Sequence, residues 1–519
     1  MNAQDIKNNE DLETAQWDPE DLEDQRAEAE CSKAVWDNES PTIPSDGILE
    51  RYLTLAFPTL EQPITIDDLI YHLTQVHAEL KETDEEGLRL IQFSAEVKKV
   101  SSRLAPLVGM VFNPESGEIV RMKHLTIPPG SPLEDLLEEA FPDLKVRPIP
   151  ITHLRACLEQ CGASLNEHSL PGINSLLMIV FGYETNRLYP TLSRLRGLIF
   201  DSVTGEIFSL TYPVPVEYKN LTLNEKEQLG SNPMITKKSY VVQEALDGTL
   251  LRLWFHPKLQ RWFVSTNGTI NAFEATWGTG NKATFGDLFQ PYLEEILTRC
   301  VLDTNLVYLF IVCHPNNIVV VNHQQPKVYH VATIDLNTLQ EIVDDIPTPL
   351  ITSISVDTFL TYPQILELAK REDQANGPVQ SAGFVITSYP DKKGLIRRIR
   401  IENQNYIDAR NLRGNSADIR NTLLELMLKH PADDLVRFLM YFPMYVGEHQ
   451  RLAQNLKSWY GFMIKTFASR YHLRNYVELP PKQHAFLKTI YETERKISDE
   501  IITQHLTILP MDELNFLLM

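Results

Sequence analysis

The chain has 519 residues, of which 43% are hydrophobic and 9% aromatic, and it carries a formal charge of −21. Its length predicts several domains rather than one core. The acidic balance argues against a protein that coats nucleic acid nonspecifically, because such binding depends on clustered Lys and Arg.

Membrane and metal signals are weak. The longest apolar run, 173–183, is too short to cross a bilayer, and the N-terminus lacks the basic-then-apolar pattern of a signal peptide. Five cysteines, few and odd in number, favour free thiols over a metal site. The sequence therefore predicts a cytoplasmic protein in a reducing compartment, with no metal and no membrane partner.

Residues 1–45 form an acidic segment with 13 Asp and Glu against three Lys and Arg. Its polar composition and weak apolar periodicity predict a disordered arm. Trp17 and Trp36 are candidate anchors for a protein partner. The alternative is a tail that only increases solubility.

Residues 46–185 mix helix and strand patterns. Helices are predicted at 65–82, 132–141 and 151–162 from apolar spacing. The stretches "VGMVFNPESGEIV" (108–120) and "RGLIFDSVTGEIF" (196–208) align without gaps, and each predicts a hairpin with an Asx-started turn. Either an internal duplication or chance recurrence of a common hairpin explains the match.

Residues 186–412 are rich in short β segments with two helical connections, and residues 413–519 carry helical apolar spacing. The fold class predicted is α+β, with a mixed N-terminal region, an antiparallel-rich middle domain and an all-α C-terminal domain. Within the middle domain, "SYVVQEALDGTLLRLWF" (239–255) predicts a hairpin that turns at Asp247-Gly248.

Six short motifs follow one another across the middle domain. They are "RGLIF" (196–200), "EALDGT" (244–249), "STNGT" (265–269), "LFIVCHPNNIVV" (309–320), "SAGFVI" (381–386) and "IRIENQNY" (399–406). Their order and spacing resemble those of the ATP-dependent RNA ligases of the bacteriophage T4 RNA ligase 1 type, within the covalent nucleotidyltransferases. The resemblance implies that family's adenylation fold over 186–412 and a helical tail. An ordinary Asp-Gly hairpin in an unrelated fold is the alternative.

The resemblance also implies which positions would perform the chemistry. In that family a lysine attacks the α-phosphate of ATP, carboxylates hold a divalent ion, and lysines of the last strand hold the phosphate. The matching positions of this chain are Ala245 for the nucleophile, Ile311 and Ala382 for the carboxylates, Arg400 and Glu402 for the lysines, and Asn267 for an arginine. These side chains lack the reactive groups, so the pattern indicates a fold that has lost its catalytic residues.

Other residues remain as binding candidates. Nucleotide or phosphate binding is predicted for Asp247, Gly248, Asn267, Arg398 and Arg400. The basic stretch 391–414 is the candidate RNA surface, through Lys392, Lys393, Arg397, Tyr406, Arg410 and Arg413. A salt-bridged strand is the alternative interpretation of that stretch.

Three functions stay open on the sequence. The first is a degenerate RNA-ligase-like protein that binds RNA or a nucleotide, or acts as a scaffold, without a cofactor. The second is an active ligase with displaced catalytic residues, which would need ATP and Mg²⁺. Lys237 and Lys238 are poor substitutes for its nucleophile, since about 25 Å of extended chain separates them from position 245. The third is a structural subunit that keeps the fold as a shape.

Overall fold

The structure is a computed structural model that describes residues 41–518 with internal gaps. The residues left out of the description are 1–40, 84–86, 95–100, 102, 122–124, 143, 145, 171–172, 183–184, 186–187, 225, 227–239, 277–282, 343–345, 347–355, 358–361, 373–376, 390–395, 415, 417 and 519. The predicted acidic arm, apart from residues 41–45, and its two tryptophans lie outside the described residues, as do Lys237, Lys238, Lys392 and Lys393.

The N-terminal part contains four helices and two four-stranded sheets. The first half comprises α1 (Ile48–Ala56), α2 (Ile66–Thr74), β1 (Ala78–Glu82), β2 (Arg89–Phe93), β3 (Val111–Phe112) and β4 (Ile119–Arg121). The second half comprises α3 (Pro132–Ala140), α4 (Ile151–Gln160), β5 (Ala163–Leu170), β6 (Ile173–Phe181), β7 (Ile199–Asp201) and β8 (Ile207–Ser209). The sheets have the orders β1-β2-β3-β4 and β5-β6-β7-β8.

The two halves have the same order of elements and end their first helices in the same way. The sequence "AFPTL" (56–60) closes α1, and "AFPDL" (140–144) closes α3. The N–H of Phe57 donates to the carbonyl of Leu53, and that of Phe141 donates to Leu137, both at 2.8 Å. Local sequence therefore specifies the same helix end twice.

The two hairpins also share their turn bonding. Asn113 Oδ1 accepts the backbone N–H groups two and three residues ahead, at 2.9 and 3.1 Å. Asp201 Oδ1 does the same, at 2.8 Å in both cases. Gly117 and Gly205 close these turns at φ 69° and 67°, a backbone conformation that favours glycine. Residues 42–121 and 126–209 thus share the order of their described elements and the bonding of their hairpin turns.

The middle part contains two five-stranded sheets. Its elements are β9 (Val216–Glu217), β10 (Tyr240–Glu244), β11 (Thr249–His256), β12 (Arg261–Ser265), α5 (Phe285–Arg299), β13 (Leu306–Cys313), β14 (Lys327–Asp335), β15 (Gln340–Ile342), β16 (Val356–Asp357), α6 (Tyr362–Glu372), β17 (Gly383–Ser388) and β18 (Arg398–Glu402). One sheet has the order β16-β10-β17-β18-β9 and the other β12-β11-β13-β14-β15. Every pair is antiparallel except β18 with β9.

The C-terminal part is helical. Its helices are α7 (Gln404–Arg413), α8 (Ile419–Lys429), α9 (Ala432–Tyr441), α10 (Val446–Phe467), α11 (Pro481–Thr493), α12 (Asp499–Thr507) and α13 (Met511–Leu518). Their apolar faces share one core with Ala245, Val320, Val321, Val379 and Ala382 of the middle part. The predicted α+β class with antiparallel sheets and a helical C-terminal region is confirmed.

Two local predictions were wrong. The segments on either side of Asp247-Gly248 do not form a hairpin, because β10 pairs with β16 and β17 whereas β11 pairs with β12 and β13. The chain crosses from one sheet to the other at this turn. The helix predicted at 65–82 ends at Thr74, since His77 has φ 53° and residues 78–82 pair as a strand.

Two compact units describe the chain. One contains the described residues up to Cys157 together with Asp201–Glu206, and the other contains Leu158–Phe200 and the residues from Ile207 onward. The predicted boundaries at 45, 185 and 412 stay predictions. Among the described residues, no helix is both long and apolar enough to cross a membrane.

Candidate functional site

Position 245 lies directly after β10, in the core. The N–H of Ala245 donates to the carbonyl of Gly383 at 2.8 Å, and its side chain is 3% exposed. Ala382, one residue before β17, is fully buried. The two positions that the sequence resemblance assigns to a nucleophile and a carboxylate, Ala245 and Ala382, therefore hold buried methyl groups.

Gly248 and Gly383 are required by close backbone approach. A Cβ on Gly248 would lie 2.5 Å from the carbonyl oxygen of Val312 and 2.9 Å from Cγ2 of Ile311. Gly383 has φ 109°, and its Cβ would lie 2.1 Å from the carbonyl oxygen of Ile401. Both glycines thus have a structural reason to be present that is independent of any nucleotide.

Asp247 stabilises the turn at which the chain passes from the sheet of β10 to the sheet of β11. Its buried carboxylate accepts the N–H groups of Val320 and Val321 through Oδ2, at 2.9 and 2.7 Å. Its Oδ1 accepts the phenol hydroxyl of Tyr406 at 2.8 Å. The carbonyl of Asp247 also lies 2.6 Å from Nε2 of His323. The carboxylate is therefore held by two segments of the chain, at 320–321 and at Tyr406.

Tyr406 connects this carboxylate to the last strand of the sheet. Burial and the negative charge of Asp247 raise the pKa of its phenol. Nη2 of Arg400 lies 3.5 Å from the phenol oxygen, and the guanidinium groups of Arg400 and Arg410 lie 5.6 and 5.5 Å from the ring centre. Tyr406 is a predicted RNA contact, and in the structure its hydroxyl donates to Asp247.

Glu402 lies between two arginines. Its carboxylate contacts Nε of Arg400 at 3.2 Å and both terminal nitrogens of Arg410, at 2.5 and 3.0 Å. Burial acts to lower the pKa of Arg410, but the hydrogen bond and charge of Glu402 outweigh it, so the pKa is raised. Glu402, which the sequence resemblance assigns to a phosphate-binding lysine, is therefore a buried anion. It neutralises part of the positive charge of Arg400 and Arg410.

Arg398, two residues before Arg400, also has a partner. It forms a two-point salt bridge with Glu341 of β15, one contact measuring 2.8 Å, and its guanidinium lies 4.3 Å from the ring centre of Tyr212. Arg413 is 4% exposed and donates to the carbonyl of Ser416 at 2.6 Å. These contacts do not test RNA binding, but they show that several of the candidate cations are already paired or buried.

Arg397 differs from these, because it is exposed. The backbone N–H of Arg397 donates to Oγ of Ser388 at 2.9 Å, and its carbonyl accepts the N–H of Ser388 at 2.8 Å. It precedes the first paired residue of β18 in the chain. Arg397 is therefore the exposed member of the described part of the predicted RNA surface.

Asn267 lies beside a buried arginine that sequence reasoning missed. Arg252 is fully buried on β11 and donates to the carbonyls of Gly197 and Thr266, the latter at 2.5 Å. Burial, followed by the charge of Arg196, lowers the pKa of Arg252 to about 9. The signal in the sequence was a charged residue inside the apolar run "LLRLWF" (250–255).

Gly197 leaves room for the side chains of Arg252 and Asn267 beside it. It has φ 76°, and a Cβ there would lie 2.9 Å from Nη2 of Arg252 and 3.0 Å from Oδ1 of Asn267. The motif "RGLIF" therefore contributes a backbone turn that lets a guanidinium pack against it.

In the part of the chain that the structure describes, no group of three or more His, Cys, Asp or Glu is placed to hold a metal ion. Cys157, Cys161, Cys300 and Cys313 are not joined in disulfide bonds.

No family model matches the sequence, and no curated protein matches it. Solved structures similar to this chain include ATP-dependent RNA and DNA ligases. An archaeal ATP-dependent RNA ligase has 13% identity and a TM-score of 0.35, covering 62% of this chain and 78% of the ligase. A protein from Aquifex aeolicus described as an ATP-dependent DNA ligase has 12% identity and a TM-score of 0.31, covering 68% of this chain and 85% of that one.

A third similar structure is a variant RNA ligase from Naegleria gruberi with AMP and Mn, at 14% identity and a TM-score of 0.26. That match covers 38% of this chain and spans 57% of the ligase.

Proposed function

We propose that this protein is a degenerate RNA-ligase-like protein that has lost nucleotidyl transfer and acts by binding RNA. The proposal rests on which side chains occupy the motif positions. Ala245 and Ala382 are buried methyl groups, and Glu402 pairs with two arginines.

The residues present do not fit ATP-dependent nucleotidyl transfer. A methyl group has no lone pair with which to attack phosphorus, and the aliphatic side chains of Ile311 and Ala382 offer no oxygen ligand to Mg²⁺. The motif residues that remain, Asp247, Gly248 and Gly383, each have a structural role in this fold. Retention of the shape without the reactive groups supports a role in binding.

The pairing of the arginines around β18 supports the proposed loss of nucleotidyl transfer. In an active site of this type, free cations would stabilise charge on the transferred phosphate. Here Arg400 and Arg410 share the carboxylate of Glu402, and Arg398 is paired with Glu341. An incoming phosphate would have to displace these internal carboxylates, so we expect weak nucleotide binding.

Incubation with α-labelled ATP and Mg²⁺ or Mn²⁺, followed by denaturing electrophoresis, tests the loss of chemistry. The unaltered chain is expected to give no labelled band. Two variants accompany it: Ala245→Lys combined with Ile311→Glu and Ala382→Glu, and a matched set with Ala245→Met in place of the lysine. A band from the lysine set alone would support the motif alignment, whereas a band from the unaltered chain would reject the proposal.

The binding half of the proposal has its own test. Binding of a labelled RNA to the full chain is expected to weaken steeply as salt rises, because counterions are released when Lys and Arg meet phosphates. If neither a labelled band nor salt-sensitive RNA binding is seen, a structural subunit becomes the better interpretation.

A further inference from the structure

The C-terminal helical part contains a basic segment in an acidic protein. Residues 465–496 carry seven Lys and Arg against three Glu, whereas the whole chain has a charge of −21. The segment covers the end of α10, the loop after it and all of α11. Positive charge is therefore concentrated at one place in this part of the fold.

One flank of α11 collects several of these groups. His484, Lys488 and Tyr491 follow the i, i+4, i+7 spacing of one helix face. The buried residues of the same helix, among them Phe486, Leu487 and Ile490, lie on another face. Arg495, just after the helix, lies 4.7 Å from the ring centre of Tyr491 and so extends the same flank.

The loop after α10 packs along this flank and adds further groups. Arg470 donates to Nε2 of His484 at 2.6 Å and to the carbonyl of Val477 at 3.0 Å. The rings of Tyr471 and Tyr491 stack, with centres 4.2 Å apart and planes 9° apart. We call the set Arg470, Tyr471, His484, Lys488, Tyr491 and Arg495 the α11 stripe.

The stripe differs from β18 in how its charges are paired. Within the described residues, no carboxylate lies within 4.0 Å of Arg470 or Arg495. Lys488 contacts Glu492 at 3.7 Å with both side chains 59% exposed, and such exposed pairs contribute little. On β18, by contrast, the carboxylate of Glu402 is 4% exposed and contacts two arginines.

An exposed aromatic residue lies in the same loop. Tyr476 is 85% exposed, and nearby Arg474 is also exposed, with φ 56°. Bases of single strands stack on such rings whatever their sequence, while Lys and Arg contact the phosphates. Exposed aromatic and exposed basic side chains together match the chemistry of a single-stranded polynucleotide.

We propose that the α11 stripe, with Arg474 and Tyr476, is a binding surface for single-stranded RNA. This proposal rests on the RNA binding proposed above and gives it a location away from the degenerate nucleotide site. Along α11 the stripe extends about 14 Å from His484 to the helix end at Thr493, at about 1.5 Å per residue, and Arg495 follows the helix. That length accommodates several consecutive phosphates of one strand.

The test is the fluorescence anisotropy of a labelled RNA of roughly 20 nucleotides with the full chain, between about 50 and 200 mM salt. The first variant is Lys488→Gln with Arg495→Gln, which removes two exposed cations. The matched control is Lys370→Gln with Arg371→Gln on α6, which removes two exposed cations elsewhere. A third variant, Tyr476→Ala, removes the exposed ring without changing the charge. Thermal melting checks that each variant is folded.

Loss of two phosphate contacts is expected to reduce the slope of log K against log salt by about 1.4, since each single-strand contact contributes about 0.7. Tyr476→Ala is expected to weaken binding about tenfold with the slope unchanged. The control should match the unaltered chain.

Binding that the stripe variants and the control affect equally would overturn the location but leave RNA binding intact. Absence of binding by the unaltered chain at about 50 mM salt would overturn both proposals. Equal or tighter binding of a duplex of the same sequence would reject the single-strand assignment.

Discussion

Replacing Asp247 by alanine is expected to destabilise the protein strongly, although no chemistry is proposed for this residue. The substitution removes the acceptor of the N–H groups of Val320 and Val321 and of the hydroxyl of Tyr406. Both valines are buried, so two backbone donors lose their partner away from water. A buried donor without a partner costs about 1–3 kcal/mol, so for two donors we expect a loss of about 2–6 kcal/mol in the free energy of unfolding.

Urea denaturation of the full chain, followed by tryptophan fluorescence, measures this loss. Asp247→Asn provides a graded comparison. An amide oxygen can still accept from the two backbone groups, so the loss should be smaller. A decrease of less than about 1 kcal/mol for the alanine variant would refute the reasoning, because it would mean that water or other groups satisfy the two donors.

Two further predictions concern the same cluster. Burial raises the pKa of Tyr406 above the value of about 10 for the unfolded chain, so its stabilisation is present below that pH and is lost as pH rises further. Tyr406→Phe should therefore lose less stability than the unaltered protein between pH 9 and 11; urea midpoints that fall in parallel would contradict this. Glu402→Gln removes the carboxylate shared by Arg400 and Arg410 and should lower stability by about 3 kcal/mol while increasing the affinity for inorganic pyrophosphate. Calorimetric titration with pyrophosphate checks the second effect, and unchanged affinity would mean that the arginines are not released.

The sequence predicted the class of the fold because its signals are local. Apolar spacing located α3, α4 and the C-terminal helices, and turn residues located the hairpins at 108–120 and 196–208. These elements depend on neighbours within a few residues, where propensity and capping act.

The hairpin predicted at Asp247-Gly248 shows where such reasoning stops. An Asp-Gly turn between two apolar strands has the same local signature whether the strands pair with each other or enter separate sheets. Here the carboxylate binds backbone groups about 73 residues further along, and no short-range pattern encodes that contact. The structure here depends on the pairing of β10 with β16 and β17 and of β11 with β12 and β13, rather than on pairing of β10 with β11.

The site positions assigned from the motif order, Ala245, Ile311, Ala382 and Glu402, stay predictions, whereas their contacts come from the structure alone. The motif order did not predict that Glu402 would neutralise Arg400 and Arg410, since a basic stretch in sequence does not specify which side chains share a face. Arg252 was missed because a single cation in an apolar run is most simply interpreted as exposed.

The two similar N-terminal segments, 42–121 and 126–209, can be compared position by position. Where the two segments agree, as at Gly109 and Gly197, the backbone itself dictates the residue. Where they differ, the surroundings do: Val120 is 48% exposed, while its counterpart Phe208 is buried and stacks 4.6 Å from His256. The two segments thus share their hairpin turns, and they differ in what packs against the second strand of each hairpin.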